Sequence, residues 1–178
     1  MNDTSSWSSA RYLGYEKLAV NFEPKQTTCN LMHDLTVKLP PATMDTLQSN
    51  GEAPGVNFRL PISCKDALGD SFSTRKISGW LSSTDILNEA ATGTILVNED
   101  SAAGGVGISV RASSTGNDIT FSNGASKQSA TEIFSVKKDD SIESAFNVNL
   151  YAYYKVFDAS LLTAGNVVAT AQLMLGYD

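Results

Sequence analysis

The last fourteen residues read Gly165-Asn-Val-Val-Ala-Thr-Ala-Gln-Leu-Met-Leu-Gly-Tyr-Asp178. Val167, Ala169, Ala171, Leu173, Leu175 and Tyr177 fall on one side of a two-residue repeat, the mark of a β-strand with one buried face. The other side (Val168, Thr170, Gln172, Met174, Gly176) is mixed, so both faces are expected to be partly covered. Gly165 opens the run at a point where the chain must turn. A domain that closes on its most strand-like segment is expected to put that strand to structural use.

Outward from this stretch the same alternation recurs. Leu18, Val20 and Phe22 alternate before Pro24, a proline that suits an edge strand. Leu35, Val37 and Leu39 follow Cys29 and end at Pro40-Pro41. Gln48 to Gly55 is dense in turn residues. Val56, Phe58, Leu60, Ile62 and Cys64 then share a face, as do Ile77, Gly79 and Leu81, with Trp80 opposite. Gly93–Val97 and Gly104–Val110 give shorter strands, Ile119 and Phe121 precede a turn at Ser122-Asn-Gly124, and Ala145–Val156 gives a long one. Helical spacing is confined to Thr84–Ala91, which predicts about two turns capped by Thr84. Short strands at roughly ten-residue spacing, separated by Gly, Asn, Asp and Pro, predict an all-β sandwich.

A chain of 178 residues suits one domain with a real core. A net charge of −6 with 18% charged residues argues against a nucleic-acid partner, because phosphate binding needs clustered Lys and Arg. The start Met1-Asn-Asp-Thr-Ser-Ser does not read as a signal peptide. It fits a cytosolic protein or a mature exported segment given a start methionine. Residues 1–17, polar and rich in small side chains, read as an extension or linker before a domain over 18–178. Cys29 and Cys64 are the two cysteines, each beside a strand-like run, with no CxxC or Cys/His cluster to suggest metal or redox work. We read them as a bridge formed in an oxidising compartment, contributing roughly 3–4 kcal/mol. Two unpaired buried thiols are the alternative.

Enzyme chemistry finds no foothold. His33, the one histidine, neighbours Asp34 in a loop and reads as solvated. Asn98-Glu-Asp100 and Asp139-Asp140 read as turns, with too few spaced oxygens for calcium. Gly104, Gly105 and Gly107 lack a following Gly-Lys-Ser/Thr, so a phosphate cradle is not expected. Trp7, Trp80 and the Tyr151–Tyr154 cluster offer a sugar platform or, as the preferred reading, packing. No enzyme, cofactor or metal is expected.

Four pieces in order resemble the pilins of the bacterial chaperone–usher pathway, of the type 1 and P pilus kind. Gly165 and Tyr177 match the family's glycine fourteen residues from the end and its penultimate aromatic. Cys29, Leu35–Pro40 and Phe58–Cys64 are similar to its cysteine–strand–strand–cysteine block. Gly105-Val-Gly-Ile-Ser-Val110 is similar to its central strand, and Phe146–Tyr154 with Leu162–Val167 to its closing pair.

The resemblance implies an incomplete immunoglobulin-like β-sandwich that lacks its seventh strand and is completed by a donor strand. Such a gap leaves unpaired backbone and an apolar groove. It implies that a periplasmic chaperone lends a strand first and a neighbouring subunit's extension replaces it. An outer-membrane usher is a further partner, and the pilus at the bacterial surface is the destination after periplasmic transit. Gly165, Val167, Ala169, Ala171, Leu173, Leu175 and Tyr177 would line the groove. Gly14, Leu18, Val20 and Phe22 form the candidate donor strand, although Phe22 stands about where the family carries glycine. The function implied is a structural subunit of an adhesive pilus polymerising by donor-strand complementation. The alternative is the C-terminal pilin domain, or tip subunit, of a fimbrial adhesin, with a host glycan or protein receptor as a further partner.

Overall fold

A computed structural model describes residues 25–67, 71–87 and 93–178. Two antiparallel sheets face each other. The larger has the order β1 (Thr28–Leu31), β2 (Glu52–Lys65), β7 (Ala145–Val156), β5 (Val106–Ala112), β4 (Ile95–Leu96). The smaller has β6 (Phe134–Val136), β3 (Ile77–Ser82), β8 (Gln172–Tyr177). One helix, α1 (Met44–Asn50), precedes β2, and a 3-10 turn spans Ala159–Leu161.

Alternation explains the layers. In the large sheet Ile62 pairs with Phe146, Leu60 with Val148 and Phe58 with Leu150, while Ala112 and Val110 extend the row from β5. These residues meet Ile77 and Leu81 of β3 in the main core, where Ile62, Ile77 and Leu150 are fully buried. Residues on one face of a strand share a side because the period is two, so one register fixes the whole layer. Gly79 leaves room for the Phe134 ring, which a Cβ there would meet at 2.1 Å. Phe134 in turn packs edge-on against Phe146, with centroids 5.3 Å apart, and so bridges the two sheets. Trp80 points the other way and is still buried, its indole N–H without a hydrogen-bond partner among the described residues. A smaller cluster of Leu47, Ala53, Ala103 and Val106 closes one end beneath α1.

Cys29 and Cys64 lie directly opposite on β1 and β2 and are joined by a disulfide. Three readings are corrected. Thr84–Leu87 is not helical: Ile86 bridges to Leu96 and Leu87 N–H donates to Ile95 O, so the segment extends a sheet edge; residues 88–92 lie outside the described residues. Residues 35–39 alternate but are not a strand, for they exchange no backbone hydrogen bond with any other described residue. A helix forms instead over Met44–Asn50, and its last three residues fall in the Gln48–Gly55 stretch read as turns. Thr43 Oγ1 accepts from Thr46 N–H at its start, Asp45 complements the first turn, and Gly51 at φ 71° closes it by donating to Leu47 O.

Candidate functional site

β8 pairs with β3 along one edge, and no described strand occupies the other. An edge strand presents a row of backbone donors and acceptors to whatever approaches it. Register sorts its side chains cleanly. Leu173, Leu175 and Tyr177 stand opposite Leu81, Gly79 and Ile77 on the core side. Gln172, Met174 and Gly176 stand opposite Ser82, Trp80 and Ser78 on the outer side. A Cβ on Gly176 would come within 2.9 Å of the Trp80 ring, so the glycine lets that ring lie across the strand. The three core-side residues pack against the main core yet remain only half-buried. Half-buried apolar residues beside a strand edge that no described strand pairs describe a groove.

A second wall comes from the end of β1 and the segment after it. Leu31, Val37 and Leu39 are half-buried against the same core, and Leu35 is 39% exposed. Pro40 and Pro41 remove two backbone donors at the segment's end. The two walls meet at Tyr177. Its hydroxyl accepts from Cys29 N–H at 3.1 Å and donates to Cys29 O at 3.0 Å, so a side chain takes the place of a ladder pair between β8 and β1. The Arg75 guanidinium covers the Tyr177 ring at 3.9 Å, and its Nε donates to Thr27 O. Backbone pairing of Lys76 with Asp178, and their 3.1 Å ion pair, anchor the last residue.

The strand expected over the whole closing run is shorter than its alternation. From Gly165 to Ala171 the backbone is held by other groups. Asn166 O accepts from Ala102 and Ala103 N–H, and Ser101 Oγ accepts from Val168 N–H and donates to Val168 O. Asp85 Oδ2 accepts from Thr170 N–H at 2.8 Å, and Ser83 Oγ donates to Thr170 O at 2.5 Å. Side chains of Ser83, Asp85 and Ser101 therefore occupy groups a ladder would use. Gly165 is required there by close approach, since a Cβ would fall 2.5 Å from Ala103 N.

The seven expected groove residues thus divide. Leu173, Leu175 and Tyr177 stand together beside the edge that no described strand pairs; Ala169 packs on the main core, Val167 on the smaller cluster, and Ala171 is exposed. Gly14, Leu18, Val20 and Phe22 lie outside the described residues. Sequence reasoning missed Arg75, Asp85 and the wall role of Val37 and Leu39. Only the last carried a signal, an apolar alternation ending in two prolines. His33 is exposed, as read.

A family model described as fimbrial protein matches residues 17–178. The uncharacterized fimbrial-like protein YehA of Escherichia coli (strain K12) is 28% identical over 167 residues, covering 90% of this chain and 46% of the relative. The chain therefore spans about half the length of that curated relative. Among solved structures, the P pilus rod subunit PapA superposes with a TM-score of 0.57 at 15% identity, covering 84% of this chain and 99% of that one. The CupB6 tip adhesin of Pseudomonas aeruginosa gives 0.60 at 19% identity, covering 85% of this chain and 38% of that one.

Proposed function

This chain belongs to the fimbrial protein family, and we propose that it works as a pilin domain whose sandwich is completed by a strand from a partner, laid along β8. The family is one of structural proteins of a surface appendage, not of enzymes. The β8 edge that no described strand pairs, with Leu173, Leu175 and Tyr177 half-buried beside it, carries this reading. A donated strand would pair its backbone with β8 and bury its apolar face between β8 and Val37–Leu39. Burying each large side chain there contributes about 1.5–3 kcal/mol. The partners in sequence are a periplasmic chaperone, an outer-membrane usher and a neighbouring subunit.

A second reading, the pilin half of a longer fimbrial protein that attaches to a host receptor, draws support from the length of the curated relative. Both readings share the groove. Expressed in the periplasm alone, the chain should aggregate, swap strands or be degraded. With a fimbrial chaperone it should purify as a soluble one-to-one complex. A stable monomer that needs no strand from elsewhere, as judged by light scattering and mass analysis, would overturn the proposal.

A further inference from the structure

Asp178 and Lys76 exchange both of their main-chain hydrogen bonds, each at 3.1 Å. In an antiparallel pair such an exchange falls on every second residue, so Gly176, Met174 and Gln172 also turn their backbone groups toward β3. Tyr177, Leu175 and Leu173 turn theirs the other way, toward the edge that no described strand pairs. The same parity continues beyond the start of β8. Thr170 N–H and O are both bonded, to Asp85 Oδ2 and Ser83 Oγ, and Val168 N–H and O both meet Ser101 Oγ, at 3.0 and 3.1 Å. The N–H and C=O of Val167, Ala169 and Ala171 bond no described residue.

The path of the chain after β3 explains why side chains do this. Asp85 O accepts from Val97 N–H at 2.7 Å, and Leu87 N–H donates to Ile95 O at 2.9 Å, so the backbone of this segment serves β4 and its continuation. It cannot also serve the closing segment. The side chains of Ser83 and Asp85 supply Thr170 with the donor and the acceptor that a backbone rung would give. Asp85 is itself fixed. Its Oδ2 also accepts from Asn98 Nδ2 at 3.0 Å, and its N–H donates to Ser83 Oγ at 3.0 Å. A carboxylate is a stronger acceptor for an N–H than a neutral carbonyl, which suits one oxygen holding two donors.

We infer that the edge receiving the partner strand runs from Tyr177 back to Val167, and that Asp85, with Ser83 and Ser101, is the positioning residue for its first half. These side chains keep Val167–Ala171 extended and in the parity of β8, so that a received strand pairs on past Leu173. The inference rests on the strand-receiving role proposed for β8 and states how far along the chain that role reaches. It also assigns a use to the apolar alternation of Val167, Ala169 and Ala171, which lies outside the regular strand.

Hydrogen exchange of the chaperone-bound full chain, read amide by amide by NMR, tests the inference. The N–H groups of Val167, Ala169 and Ala171 should exchange at least about tenfold more slowly than in an open chain, as should those of Leu173 and Leu175. Asp85→Ala should still be captured one-to-one and should lose about tenfold in protection between Val167 and Ala171, with Leu173 and Leu175 unchanged. Asp85→Asn keeps an acceptor for Thr170 N–H and should restore most of that loss. Ser101→Ala, which leaves the Asp85 cluster intact, should give the same local loss even if Asp85→Ala does not fold. Protection that stops at Leu173 in the wild-type chain, or that neither alanine variant lowers between Val167 and Ala171, overturns the inference. An equal loss along the whole of β8 in Ser101→Ala, with a lower thermal midpoint, assigns these side chains to the fold at large and overturns their positioning role. Failure of the wild-type chain to be captured at all is a different result: it removes the strand-receiving role and this inference with it.

Discussion

Asp118 concentrates three donors on one carboxylate: the Tyr153 hydroxyl at 2.7 Å, Lys155 Nζ at 2.5 Å and Arg111 Nε at 3.2 Å. Burial by itself raises its pKa, but the bonds from Lys155 and Tyr153, with the charges of Lys155 and Arg111, outweigh it and hold the carboxyl below its ordinary value. The unfolded carboxyl titrates near pH 3.9. Above that pH the stabilisation is fully present. As pH falls, the unfolded chain takes up its proton first, and the contribution drains away until the native carboxyl is protonated too. Asp118→Asn should flatten this acid limb and lower stability at neutral pH by about 2 kcal/mol. Urea titrations of the strand-complemented protein between about pH 2 and 7 read both effects. An unchanged acid limb in the variant would show that Asp118 is not its source.

At the scale of elements, legibility followed the strength of the alternation and what lay beside it. β7 was readable to both ends, Ala145 to Val156, because its alternating residues are covered along the whole strand, Phe146 to Ala152 by the main core and Tyr154 and Val156 by the smaller cluster. β8 was readable as to face but not length, since the residues that interrupt it come from Ser83, Asp85 and Ser101, distant in sequence. The Thr43 and Gly51 caps of α1 were visible, yet the adjoining Asn50-Gly51 and Pro54-Gly55 read more strongly as turns. The Thr84 segment carried a helix cap and lost its helix to sheet-edge pairing at Ile86 and Leu87, tertiary context overriding local propensity.

The assignment of faces on β8 supports a contrast between neighbours. Leu175 lies on the core side opposite Gly79, and Gln172 on the outer side opposite Ser82. A carboxylate at Leu175 would be desolvated when the incoming strand covers it, whereas at Gln172 it stays in water. Leu175→Asp should abolish co-purification with a chaperone, and Gln172→Asp should retain most of it. Equal losses, or a worse loss for Gln172→Asp, would reverse the assigned face.

For the whole molecule, the wall residues named above, Leu173, Leu175 and Tyr177 on one side and Leu31, Val37 and Leu39 on the other, all follow residue 24 in the chain. The Cys29–Cys64 bridge ties β1 to β2 and so fixes the strand to which Tyr177 anchors β8. Capture of a strand and donation of one are therefore separable. On the subunit reading, Leu18, Val20 and Phe22 enter a neighbour's groove; on the longer-protein reading they lead from another domain. Deleting residues 1–24 should leave the one-to-one chaperone complex intact, because every residue named in the two walls is kept. When chaperone-bound full chain is incubated with itself, the subunit reading expects oligomers built by successive strand exchange. The truncated chain should form none, having no strand to give. Loss of chaperone capture on truncation would overturn the proposed groove. Capture without oligomers from the full chain would select the pilin half of a longer fimbrial protein, since such a domain receives a strand and donates none.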